Sequence, residues 1–366
     1  MANRDGPDVG PPADSFASSF RVYEVRTDGD QLLYYGDPLV PPEQLMEHIW
    51  PRFRADGYEV RLTRRTGEYV LVAEPVDVGV DGIPWTNVIL AVATVFSTLF
   101  AGTVWYGYDP IANPETLLGA WPFTVAIMGV LGVHELGHYV MSRYHGVDAT
   151  LPYFLPLPTL IGTMGAVIKM KGQMPDRKAL FDIGAAGPLA GLVATVVVTA
   201  VGLSLPPVDV PPGTLPFELG YPPLLVLIAD LTGQQLYYPP GESIHPVVVG
   251  GWVGMFVTFL NLLPVGQLDG GHIVRAMAGD RQETVAALVP AVLFGLAGYL
   301  HYVRNVAGNA IFLWVFWGLF ASAIAFAGPA TPVYDESLDT PRMALGALTF
   351  LLGALCFTPV PIAYGG

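Results

Sequence analysis

The 366-residue chain has one cysteine, Cys356, and only three lysines, Lys169, Lys171 and Lys178. A single cysteine rules out an internal disulfide and argues against a cysteine-built metal site; Cys356, in the last apolar segment, is expected to serve packing. Charge is scarce as well. Only 13% of residues are charged and 52% are hydrophobic, where a soluble domain carries roughly 25% charged residues. Mean hydropathy is +0.48. A formal net charge of -14 with so little lysine excludes a nucleic-acid-binding surface as the main business of the chain. The acidity fits either a salt-rich cytosol or a generally acidic protein. The first twenty residues lack an apolar core, so no cleavable signal peptide is expected, and the first hydrophobic span must itself target the chain to a membrane.

What is present divides into a polar beginning and an apolar remainder. Residues 1–19, rich in Pro, Asp, Gly and Ser, read as a disordered tail. Residues 20–82 read as a small α+β domain. Arg21 to Arg26 alternates like a strand, Asp28-Gly29-Asp30 reads as a turn, and Leu32 to Tyr35 as the returning strand. Pro41 to Ala55 reads as a helix, with Pro51 expected to bend or end it. Tyr58 to Arg64 and Tyr69 to Ala73 form a second hairpin around Thr66-Gly67. The expectation is a ββαββ unit that serves solubility or assembly, or regulation.

From residue 83 to 366 the chain reads as a polytopic α-helical membrane protein of about six to seven transmembrane helices. Candidate spans of about 20 apolar residues are 86–107, 117–142, 183–204, 245–264, 284–303, 307–327 and 343–360. Eight basic residues precede the first span. Five lie between the second and third: Arg143, Lys169, Lys171, Arg177 and Lys178. Arg275 and Arg281 follow the fourth, and Arg342 precedes the seventh. Loops 108–116 and 205–244 carry none, and only Arg304 falls on the opposite side. This bias puts the N-terminus in the cytosol of a multi-pass cell-membrane protein.

The feature that carries chemistry is His134-Glu135-Leu136-Gly137-His138, an HExxH run directly after the uncharged stretch Thr116 to Val133. Polar, ionisable residues at membrane depth are costly and by default mark function. On a helix, His at i and i+4 share a face, with Glu beside them, which is how zinc peptidases hold metal and place a general base. Two His do not complete such a site, which takes three protein ligands and one open position. A second polar cluster, Asn261 to His272, ends another apolar span. Within it Asp269 is an ionisable side chain in need of a partner, and a zinc ion is a natural one. Pro264 breaks the helix there, and irregular backbone at this depth is tolerated only where it lines a cavity or is buried in protein. His272 is either an alternative ligand or a group behind the ligands. His145 is expected at the cytosolic surface.

HExxH in one span with Asn-x-x-Pro-x-x-x-x-Asp-Gly in a later one resembles the site-two protease family of intramembrane zinc metalloproteases. Gly184 to Gly191 is similar to that family's core span, and Gly162 to Ala166 to the loop after its first motif. The resemblance covers residues 86 to 280. It implies that His134, His138 and Asp269 bind one zinc ion, that Glu135 is the catalytic base, and that Asn261 helps stabilise the oxyanion. It also implies a transmembrane protein substrate within the lipid bilayer, and the charge bias puts the motif, and so the cut, toward the cytosolic side. The substrate would be a membrane-tethered regulator, in regulated intramembrane proteolysis, or a signal-peptide remnant. Loop 205–244 is too short for the PDZ domain of some members, and no C-terminal regulatory domain is expected. Control then falls to the N-terminal unit or to a separate regulatory partner.

Residues 151–170 are apolar but broken by Pro152, Pro156, Pro158 and Gly162. They read as a re-entrant loop whose extended part, Met164 to Met170, could pair with an unwound substrate, or as a lipid-facing structural loop. The competing function is a transporter or channel with His, Glu and Asp in a cation path. It lacks the duplicated halves with matching broken helices that such folds carry.

Overall fold

The computed structural model describes residues 10–65, 67–76, 82–210, 217–306 and 308–364. The N-terminal unit comprises β1 (Phe20–Asp28), β2 (Gln31–Pro38), α1 (Pro42–Ala55), β3 (Tyr58–Arg65) and β4 (Glu68–Pro75). The strands form one antiparallel sheet in the order β1-β2-β4-β3. Alternation sorts the two faces. Leu32, Tyr34, Leu71 and Ala73 point toward α1 and pack with Leu45, Ile49 and Phe53, while Leu33, Val70 and Val72 lie on the opposite face. Pro51 lies inside α1, which continues through it to Ala55. Of the expected tail, residues 1–9 lie outside the described residues. The remainder is ordered rather than disordered: a short 3₁₀ turn at Ala13–Phe16 inserts Phe16 into the domain core, 2% exposed. One buried aromatic outweighs the polar composition around it. The expected boundary at residue 82 adjoins residues 77–81, also outside the described set.

The apolar part begins with α2 (Trp85–Trp105), the single turn α3 (Thr116–Gly119) and α4 (Trp121–Tyr144). Short strands follow: β5 (Asp148–Ala149), β6 (Tyr153–Pro156), β7 (Thr163–Val167), β8 (Met170–Lys171) and β9 (Met174–Asp176). Next come α5 (Arg177–Ser204), β10 (Val208–Asp209), β11 (Phe217–Leu219), α6 (Pro223–Thr232), β12 (Glu242–Ser243) and α7 (Pro246–Asn261). The chain closes with α8 (Asp269–Ala278), α9 (Arg281–Tyr302), α10 (Gly308–Ala325), β13 (Pro332–Tyr334), α11 (Thr340–Ala354) and β14 (Ile362–Tyr364).

Among the described residues four helices are long and apolar enough to cross a membrane: α2, α4, α5 and α9. Helices α6, α7 and α10 are apolar but shorter. The expected span 117–142 is divided at Ala120, where α4 starts with Pro122 in its first turn. Loop 205–244 contains α6, whose apolar run Leu224 to Ile228 follows Pro222 and Pro223 and ends before Gly233. The expected third span starts six residues earlier, because the Asp176 side chain accepts a bond from the Ala179 amide and caps α5.

Two devices tie distant segments to the end of α4. Arg54 donates to Glu59 and to the Gly146 carbonyl, and the Glu59 carboxylate also accepts from Trp50 Nε1 at 3.1 Å and from the Gln173 amide at 3.4 Å. The N-terminal unit thereby touches both the chain leaving α4 and the loop before β9. From the other end, β13 pairs in parallel with β9, and Asp335 meets Arg177 and Arg275. The Arg177 guanidinium holds the Asp335 carboxyl below its ordinary pKa. Arg342 then grips Asp182 through Nε at 2.8 Å and a second guanidinium nitrogen at 2.7 Å, and Asp182 also meets His145 at 2.9 Å. Charge-assisted, bidentate pairs of this kind are the strong ones. Arg342→Ala is expected to destabilise the fold by about 1.5–3 kcal/mol, read as a lower Tm in detergent. An unchanged Tm would mean that Asp182 is satisfied by His145 alone.

Candidate metal centre

The site is assembled from α4, α5 and the turn between α7 and α8. Helix α4 forms because nothing in Trp121 to Val133 competes with it, and it stops where Gly146 takes a left-handed φ of 69°. Its i, i+4 spacing puts His134 and His138 on one face. Both are buried, and their Nε2 atoms lie 3.2 Å apart. His138 Nδ1 lies 2.8 Å from the Ile183 carbonyl oxygen. A carbonyl only accepts, so Nδ1 carries the proton and Nε2 of the neutral ring presents a lone pair. Pro188, inside α5, lacks the amide that would bond the Gly184 carbonyl and crowds that carbonyl, which loosens the helix next to Ile183.

Helix α7 ends at Asn261 and α8 begins at Asp269. The seven residues between them close on themselves through bonds such as Val265 N to Leu263 O and Leu268 N to Val265 O. That excursion, with Pro264 within it, carries both polar side chains back to α4. Asp269 places its two carboxylate oxygens 3.2 Å from His134 Nε2 and 3.2 Å from His138 Nε2. Asn261 Nδ2 lies 3.2 Å from His134 Nε2. One ligand atom each from His134, His138 and Asp269 lie within 4.8 Å of one another, and the three could hold a metal ion.

Helix α5 supplies the wall, and it does so by lacking side chains. A Cβ at Gly187 would stand 2.0 Å from His138 Nε2, and one at Gly191 would stand 2.9 Å from His134 Nδ1. Small residues on α5 read from the sequence as helix packing; in the structure they also shape the space the imidazoles occupy. Glu135 is buried beside the cluster, 7% exposed, with the Ile168 backbone amide directed at its carboxylate. His272 is buried but outside the ligand set, and its Nδ1 has no hydrogen-bond partner among the described residues. His145 is bound to Asp182, away from the cluster. The sequence-predicted residues His134, Glu135, His138, Asn261 and Asp269 thus come together at one place.

The sequence model of Peptidase family M50 matches residues 122–297, which contain this whole cluster. Across that region the chain is similar to peptidase family M50. That agrees with the resemblance to site-two proteases drawn from the two motifs. Among M50-like relatives, the "Probable zinc metalloprotease EGY1, chloroplastic" of Arabidopsis thaliana is 33% identical over 294 residues, 75% of this chain and 51% of its own length. The "Probable zinc metallopeptidase EGY3, chloroplastic" of the same plant is 28% identical over 371 residues, 93% of this chain and 62% of its own length. The chain therefore spans about half the length of the curated relatives it matches. A solved "Site-2 Protease from Methanocaldococcus jannaschii" is similar over 68% of this chain and 93% of that one, at 18% identity and a TM-score of 0.30. A likeness that low carries no argument.

Proposed function

We propose that the chain is an intramembrane zinc metalloprotease that hydrolyses peptide bonds within or near transmembrane segments of membrane proteins. The observation that carries the reading is the convergence of two imidazole nitrogens and a carboxylate, 3.2 Å apart, beside a buried glutamate. Two nitrogens and one oxygen on adjacent helices suit zinc, and Gly187 leaves room where His138 Nε2 must reach a metal. His134, His138 and Asp269 would hold it. When bound, zinc supplies Lewis acidity, acidifying water and polarising a carbonyl. Glu135 takes the proton from the attacking water and delivers it to the leaving amine. Asn261 donates its amide hydrogen to the oxygen that gains charge. The His138 to Ile183 bond keeps that ring in the orientation and tautomer the site needs.

A peptide bond must be unwound before attack. Strand β7 pairs with β6 on one side and has no strand partner on the other among the described residues. It runs toward Ile168, whose amide faces Glu135. An extended substrate would add to that open edge, gaining main-chain hydrogen bonds close to the base. The charge bias puts the N-terminal unit and the end of α4 on the cytosolic side of a cell membrane. The contacts from Arg54 and Glu59 to Gly146 and Gln173 favour a role for that unit in control, alone or with a separate partner. A transporter would use the same polar residues, but it has no need of a base seated beside three converging ligands.

Purified chain should contain about one zinc and cleave a membrane-anchored test substrate. Asp269→Ala should lower zinc affinity by more than about tenfold, as loss of even an outer partner does so by 10- to 100-fold. Equal zinc affinity in a titration would remove Asp269 from the ligand set.

A further inference from the structure

The β6–β7 hairpin poses a physical problem that the site itself does not solve. The segment before β6 and the proline-containing turn before β7 place backbone carbonyls outside the strand ladder, where inside a bilayer no water can serve them; within the turn the only backbone donors to the Leu157 and Gly162 carbonyls, among the described residues, are the Thr159 and Leu157 amides. Helix α2 supplies the side-chain donors. Asn87 Nδ2 donates to the Leu151 carbonyl at 2.8 Å and to the Pro152 carbonyl at 3.0 Å. The Ser97 hydroxyl donates to the Gly162 carbonyl and lies 3.2 Å from that of Leu157. Trp105 Nε1 donates to the Leu160 carbonyl at 2.7 Å. Asn87 and Trp105 are eighteen residues apart, five helical turns, so they share one face of α2 and bracket about 27 Å of its length. Gly162, at φ 76°, lets the loop touch the helix directly: a Cβ there would stand 2.5 Å from Thr98 Cα.

We propose that Asn87, Ser97 and Trp105 are positioning residues that clamp the hairpin to α2 and so hold the open edge of β7 beside Glu135. The clamp rests on the protease reading for its purpose but not for its existence. It acts on one side only: α2 packs chiefly on β6, and β7 faces α4. Helix α2 and the hairpin therefore behave as one body, and a substrate strand reaches β7 from the side away from α2. Loosening the clamp leaves the metal ligands in place but lowers the fraction of molecules whose edge is set to receive substrate. A lowered competent fraction weakens apparent affinity in proportion.

The test uses the full-length chain with Ser97→Ala and Trp105→Phe, singly and together. Trp105→Phe keeps the ring that packs edge-on against Phe217 at 4.9 Å and removes only the N–H. The double variant should raise KM for an anchored substrate about five- to tenfold, the worth of one to two hydrogen bonds. Its kcat and zinc content should stay near the parent's, and amides of 153–167 should exchange hydrogen faster. Ser97→Thr, which keeps the hydroxyl, should restore both readings. Unchanged KM and unchanged exchange would overturn the clamp. If the double variant does not fold, Trp105→Phe alone decides by the same two readings. If the parent cleaves nothing, the protease reading fails, while the exchange rates still decide whether α2 holds the hairpin.

Discussion

Glu135→Gln is expected to abolish cleavage while zinc stays bound. The substitution keeps the side chain's size, which matters for a group 7% exposed, and it leaves His134, His138 and Asp269 as they are. It removes the buried carboxylate beside the cluster that would take a proton from water and return it to an amine. General acid–base catalysis is worth about 100- to 10,000-fold, so the rate on an anchored substrate should fall by that much or below detection. Zinc should remain at about one per chain. Residual cleavage near the parent rate would dismiss Glu135 as the base. Loss of zinc together with activity would instead show that Glu135 holds the site's shape.

Gly187→Ala is expected to cripple metal binding without touching a ligand. The added methyl would stand 2.0 Å from His138 Nε2, far inside any van der Waals contact, and it belongs to a helix backbone that cannot swing away. The ring must turn, which breaks its bond to the Ile183 carbonyl, or α4 and α5 must separate. Either way the two imidazole nitrogens no longer meet Asp269 together. Perturbing the groups that orient metal ligands costs about 10- to 100-fold in affinity, measurable by competition with a zinc chelator. Gly295→Ala in α9, with nothing within 4 Å of the new methyl, is the control and should leave affinity unchanged. Equal affinity in both variants would show that the closeness of α5 to His138 is unimportant.

The chemistry of this chain was unusually legible because it contrasts with its surroundings. His134, Glu135 and His138 are polar groups in an apolar run, and Asp269 repeats the anomaly at the end of another. The N-terminal sheet was legible through alternation at Arg21 to Arg26 and the glycine turns. What stayed hidden had no local signature. Strands of three residues such as β9 and β13 show no period, and their partner lies about 160 positions away. Asp176 starts α5 with a cap, but the charged residues after it masked that first turn from a search for apolar spans. Helix α6, ten residues long, is too short to read as a span. Small-residue spacing such as that of the α5 glycines is generic to helix packing; only the position of His138 shows what they pack against. Phe16 was lost in a tail whose composition looked disordered.

The pairing of β13 with β9, together with the Arg342 to Asp182 bond, orders events in time. Residues 174–182 emerge from the ribosome long before residues 332–342, and contacts across so long a loop form late. A nascent chain can thus hold all three proposed metal ligands, through Asp269, while the ends of α4 and α5 still lack their last fastening. The finished packing around the cluster waits on the synthesis of residues 332–342.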